Sequence, residues 1–178
     1  MEKELLIRAQ SGDRAAFEQI YRQYRDYLLT VAAQLLSNNG WAEDVVQDVF
    51  VRFIDSLKTF QLRGSLKSYF AVCVANKARD LLRKQKIRGN NSQEAQRQVN
   101  VEAEPLKLLV QDEEMGLMEQ GLATLPYDQR EVIILRCQGG MTFREIALAL
   151  DVPLKTAHSR WGYGLEKLRA FIREVDNV

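Results

Sequence analysis

The chain is poor in the residues that most site chemistry needs. It has one histidine, His158, and two cysteines, Cys73 and Cys137, far apart and without a CxxC partner. A histidine-based metal centre is thereby nearly excluded, and both cysteines, set among apolar neighbours, read as small core residues rather than a disulfide or ligands. Long apolar runs are missing too, so no segment approaches the roughly 20 residues of a membrane-spanning helix. The start, MEKELLIRAQ, lacks the cationic head and apolar block of a secretion signal. A soluble, cytoplasmic protein is expected. No nucleophile–base pair, glycine-rich phosphate loop or ligand cluster stands out, so neither enzyme activity nor a cofactor or metal is expected. Excess charge is the last absence: 25 Lys and Arg face 24 Asp and Glu, a net of +1.

That balance is uneven along the chain. Residues 1–88 carry 15 cations against 10 acids, 89–120 carry 2 against 7, and 121–178 carry 8 against 7. Nonspecific DNA affinity comes from neutralising phosphates, so a chain with this little surplus should bind duplex DNA poorly alone and need a partner.

What the chain does have is helical periodicity. Phe17, Ile20, Tyr21, Tyr24, Leu28, Val31 and Leu35 recur at steps of three and four, which predicts a long helix from near Asp13. Ser37-Asn38-Asn39-Gly40 ends it. A second helix, about Trp41 to Phe60, buries Val46, Val49, Phe50, Phe53 and Leu57, and its other side carries Glu43, Asp44, Gln47, Asp48, Arg52 and Asp55. That acidic face is usually solvated; it suits a protein partner better than a metal, since no histidine or second carboxylate helix completes a site. Ser65 is a good cap for a third helix, with Leu66, Tyr69, Phe70, Cys73, Val74 and Leu81 inward. Its end, NKARDLLRKQKIR, sets six cations against Asp80 alone. A helix C-terminus favours some cations, but six exceed that need and point to nucleic acid. Tyr69 and Phe70 allow stacking on single-stranded bases, although core positions fit their spacing better.

After Arg88 the texture changes: residues 89–105 are polar and without an aromatic, and the acidic segment they open runs to about Asp112. Residues 89–112 read as a flexible linker, with an r.m.s. span of roughly 25–30 Å, whose acids are placed to lie over a basic surface of the free protein. Periodicity resumes near Glu113. Pro126 opens a helix to about Gln138, with Val132, Ile133 and Cys137 inward, stopped by Gly139-Gly140. Then comes TFREIALALDVPLKTAHSRWGYGLEKLR, residues 142–169. Thr142 and Glu145 make a capping box, and Asp151-Val152-Pro153 breaks the pattern after two turns. A second helix restarts with Leu154, Ala157, Trp161, Leu165 and Leu168 inward, and Lys155, Thr156, Ser159, Arg160, Tyr163 and Lys167 outward. This is a helix-turn-helix pattern. An ordinary helical hairpin gives the same period, but Ser, Thr and Arg at a helix start suit phosphates and base edges.

The expected fold is therefore all-α: two small helical domains, 1–88 and 113–178, joined by the linker 89–112, the second containing the helix-turn-helix. Four segments in this order resemble the extracytoplasmic-function (ECF) group of bacterial RNA polymerase sigma factors: GDRAAFEQIYRQY at 12–24, AEDVVQDVF at 42–50, SYFAVCVANKARDLLRKQK at 68–86 and LPYDQREVIILRCQGGMTFREIALALDVPLKTAHSR at 125–160. The resemblance implies a subunit that takes core RNA polymerase to promoter DNA under the control of an anti-sigma factor. By that likeness Glu43, Asp44, Gln47 and Asp48 face the polymerase. Asn76, Lys77, Arg79, Arg83 and Lys84 lie along the −10 strand, the Thr59–Ser65 loop is available for a flipped base, and Lys155, Thr156, Ser159 and Arg160 enter the −35 major groove. The linker threads through the polymerase. Departures from the group's pattern are Trp41, Ala75, Asp151, His158 and the stretch Gly162–Glu166. The last puts two glycines in the recognition helix, at roughly 1 kcal/mol each relative to Ala, which predicts a softer helix and weaker −35 backbone contacts. A stand-alone helix-turn-helix regulator would account only for the last third, and a sigma-like adaptor would bind proteins alone.

Overall fold

Local capping chemistry sets where the helices begin. The Asp13 carboxylate accepts from the amides of Ala15 and Ala16 at 2.9 and 3.1 Å and starts the long helix α2 (Arg14–Leu36), which stops at Ser37 in the left-handed region, φ 53°. Ahead of it stands α1 (Glu2–Gln10), an element for which the sequence carries no clear period. Its acids at the start and Arg8 near the end complement the helix dipole, and it buries only Leu5, Leu6 and Ala9. Next comes α3 (Ala42–Ser56), burying Val45, Val46, Val49, Phe50 and Phe53. It ends short of Phe60, in a single 3₁₀ turn (Leu57–Thr59). Ser65 caps α4 (Leu66–Asn91), its hydroxyl accepting from the Ser68 amide at 3.1 Å. The computed structural model describes residues 2–37, 40–91 and 113–176, so α4 runs three residues into the predicted linker and the rest of that linker lies outside the described residues.

The N-terminal core is aromatic. Phe53 and Phe70, both fully buried, meet edge-on at 4.9 Å, and Phe53 also touches Phe17, Phe60 and Tyr69. Tyr69, half-buried among these rings, is core rather than a free stacking platform, and burial pushes its hydroxyl up to about 12.

The C-terminal helices are α5 (Glu113–Thr124), α6 (Tyr127–Cys137), α7 (Phe143–Ala149) and α8 (Leu154–Asp176). Both halves of the Thr142–Glu145 capping box are formed, and Asp151 turns the chain in the left-handed region at φ 52°. Two inward assignments are corrected. Cys137 is exposed because it is the last residue of α6, one turn beyond Ile133 and past the part of the helix that its neighbours cover. Leu154 is 40% exposed because it is the first residue of α8 and precedes the turn that packs, whereas Ala157 and Leu168 are buried. Of the two α8 glycines, Gly162 faces open space, but a Cβ on Gly164 would come within 2.7 Å of Ile133 Cδ1. Gly164 is thus a close-approach glycine that lets α8 lie against α6, and the helix is unbroken through both. Among the described residues every regular element is helical, as expected.

α6 is the surprise. Arg130, Glu131, Val132, Ile133, Ile134 and Leu135 are all buried, so more than one face of the helix is covered. α7 and α8 cover one side; α2 and α4 reach the other, and one continuous apolar cluster runs through both bodies. The two helical bodies do not hang on the linker alone.

Candidate nucleic-acid and polymerase interfaces

The acidic face of α3 forms as its spacing predicts. Glu43, Asp44, Gln47 and Asp48 are all exposed while Val45, Val46, Val49 and Phe50 turn inward. Val51 and Ile54 are exposed on the same helix and continue this face as an apolar patch. Asp48 is ion-paired with Lys77 of α4, so the acidic surface runs directly into the cationic one.

The α4 set is less free than its sequence suggests. Asn76, Arg83 and Lys84 are exposed, but Lys77 is held by Asp48, and Arg79 reaches across to Glu131 of α6 at 2.5 Å. Arg83 makes a loose pair with Asp80 at 3.4 Å, an exposed contact worth little. The loop after the 3₁₀ turn is tied down from α1: the Gln10 side-chain amide donates to the carbonyls of Leu57 and Phe60 at 3.1 and 2.7 Å. Gln10 gave no signal in sequence, since its role depends on contacts across about 50 residues.

On α8, Lys155 and Ser159 are exposed and Thr156 is half-buried, at the N-terminal end of the second helix of the helix-turn-helix. Arg160 is paired with Asp128 of α6 at 2.7 Å. His158, also exposed, packs against Phe143 with ring centres 4.1 Å apart and planes tilted by 37°, so it braces the two helices of the motif. No group of three or more His, Cys, Asp or Glu among the described residues is placed to hold a metal ion, and no described helix is long and apolar enough to cross a membrane.

The sigma-70 region 2 family profile matches residues 20–87 and the sigma-70 region 4 profile residues 116–168. The chain is 30% identical to the ECF RNA polymerase sigma factor SigX of Bacillus subtilis (strain 168), over 89% of this chain and 86% of that protein. The chain belongs to the ECF sigma factors. Similarity extends end to end in SigW of the same organism, 25% identical over 98% of each chain, and to the sigma-E factor of Escherichia coli (strain K12), 27% identical over 88% and 86%. Among solved structures, CnrH in complex with the cytosolic domain of CnrY superposes with a TM-score of 0.67 at 26% identity, covering 97% of each chain. The sigma factor RpoE in complex with the anti-sigma factor NepR, from Bartonella quintana, shares the fold with a TM-score of 0.72 at 23% identity, over 88% of this chain and 96% of that one. As an ECF sigma factor the chain directs RNA polymerase to promoters and initiates transcription.

Proposed function

We propose the following division of labour within this sigma factor. Residues 1–88 dock on core polymerase through Glu43, Asp44, Gln47 and Asp48 and open the −10 element with Asn76, Lys77, Arg79, Arg83 and Lys84. Residues 113–178 read the −35 element with Lys155, Thr156, Ser159 and Arg160, and the linker 89–112 spans the two. The chain works by binding, not by catalysis, in the cytoplasm where polymerase is found. An anti-sigma partner restrains it, by analogy with the partner-bound CnrH and RpoE structures. The observation that carries this reading is the continuous surface where the exposed acids of α3 meet the cations of α4 at the Asp48–Lys77 pair. A protein-binding face next to a DNA-binding face is what a subunit delivering an enzyme to DNA requires. A stand-alone regulator would instead need its cations free.

Charge reversal tests the division. Asp44→Lys lowers affinity for core polymerase and leaves promoter melting by the assembled holoenzyme intact. Arg83→Glu with Lys84→Glu does the opposite, and Asp48→Lys behaves as Asp44→Lys does, since it leaves Lys77 free for the −10 strand. Equal loss of polymerase binding and open complexes in the first two variants would contradict the assignment.

A further inference from the structure

The last carbonyls of a helix lack intrahelical partners. Where α3 runs out through its 3₁₀ turn, a side chain from another helix supplies them. Gln10, half-buried at the end of α1, donates to the Leu57 carbonyl at 3.1 Å and to the Phe60 carbonyl at 2.7 Å. A glutamine amide carries two N–H donors, and both are used here. α1 is itself fixed at either end, which gives Gln10 a set place. The Tyr24 hydroxyl donates to the Glu2 carboxylate, and Arg8 is paired at 2.7 Å with Asp13, the cap of α2.

Phe60 is also held from its other side. Its ring meets Tyr69 of α4 and Phe53 of α3 edge-on, with centres 4.6 and 5.3 Å apart. Three helices therefore converge on the last residue before the loop, and Ser65 is fixed at the far end as the cap of α4. Between these two posts Leu62 leans on the core, while Gln61, Arg63 and Gly64 are exposed. The side chains of Gln61 and Arg63 have no partner among the described residues. A loop fixed at its base and free at its tip is a pre-shaped receptor, because little ordering remains to be done on binding. An extruded base has lost its stacking and pairing, so its capture depends on a receptor that already stands ready.

We propose that Gln10 is a positioning residue for −10 recognition: it fixes the chain at Phe60 and thereby shapes the loop that receives the flipped base. The proposal rests on the assignment of that base to the Thr59–Ser65 loop. Loss of the two bonds lets the loop take other shapes, and only the step that uses the loop suffers. Docking through the acids of α3 and −35 contact through α8 do not.

Holoenzyme assembled from the full chain and core polymerase provides the test, on a promoter fragment that wild type opens and on variants with each −10 base replaced in turn. Gln10→Met keeps the length and removes both donors. It should lower open-complex formation on the parent promoter roughly three- to tenfold and flatten the base preference at one −10 position, with affinity for core polymerase unchanged. Gln10→Lys, which restores donors, should recover that preference. If Gln10→Met does not fold, Gln10→Glu, which keeps the shape and offers the carbonyls only acceptors, takes its place. A variant that merely weakens the fold depresses every promoter alike and leaves the ranking of bases intact; that outcome overturns the proposal. Flattening that Gln10→Lys fails to relieve overturns it too, since the hydrogen bonds are then not the cause. Gln61→Ala with Arg63→Ala separates this proposal from the assignment beneath it. If the tip variant leaves every −10 preference as in wild type, the loop does not hold the base, and the assignment falls together with the proposal. If the tip variant flattens one preference and Gln10→Met does not, the positioning role alone fails.

Discussion

Burial holds the Glu131 carboxyl up to about 7, against an ordinary 4.5, even with the Arg79 guanidinium beside it. The groups facing it come from three helices: Arg79 of α4 and Arg160 of α8 favour its charge, Asp128 of α6 opposes it, and Tyr127 shares a hydrogen bond with it. Because the folded value lies above the unfolded one, the folded chain binds the proton more tightly. The associated stability is present below about 4.5 and is lost as pH rises through about 7. Asp13 and Glu145 shift the other way, held down by Arg8 and by the Thr142 cap, so their contribution is lost only in acid. Between pH 5 and 8, then, the wild type should lose on the order of 1–3 kcal/mol through Glu131, and Glu131→Gln should flatten that slope. Urea midpoints across this range measure it; parallel slopes for the two proteins would refute the assignment.

At the scale of the helix, the two α8 glycines make a paired experiment. Gly162→Ala meets nothing within 4 Å, so it should gain up to about 1 kcal/mol from helix propensity. Gly164→Ala gains the same propensity but drives a methyl to 2.7 Å from Ile133 Cδ1, where overpacking costs about 1–3 kcal/mol, so the net is neutral to destabilising. Thermal midpoints that rise equally for both would refute the close-approach reading of Gly164. The softer helix expected from sequence rests on helix propensity alone, and a one-dimensional period cannot see that one of the two glycines lies under a neighbouring helix. Signals within one turn read well: the helix start at Asp13, the Ser65 cap and the Thr142–Glu145 box all stand where the sequence puts them. The acidic side of α3 and the exposed start of α8 were legible for the same reason. What stayed hidden depends on contacts made far along the chain. α1 is too short to show a period, Gln10 acts across about 50 residues, and Arg130 and Glu131 look like surface charges until α2 and α4 cover them.

For the whole molecule, charge decides how the chain meets DNA. The two proposed DNA sets contain six cations, of which Lys77, Arg79 and Arg160 are held by Asp48, Glu131 and Asp128 of the same chain. A paired cation releases few counterions on meeting a phosphate, because breaking its own ion pair offsets the gain. Arg83, only loosely paired, and the exposed Lys84 and Lys155 remain as the ready contacts. Three phosphate contacts give a salt slope near −3, so the isolated chain should lose only about 40-fold in duplex affinity between 50 and 200 mM salt, whereas six would lose about a thousandfold. Assembly with core polymerase should steepen the slope, since the enzyme adds its own contacts. Titration of a labelled promoter fragment at several salt concentrations, with and without core polymerase, measures both slopes. A slope from the isolated chain as steep as six contacts would mean that its internal ion pairs give way to phosphate freely. Promoter reading would then lie within reach of the chain alone, and the dependence on polymerase would need a cause other than charge.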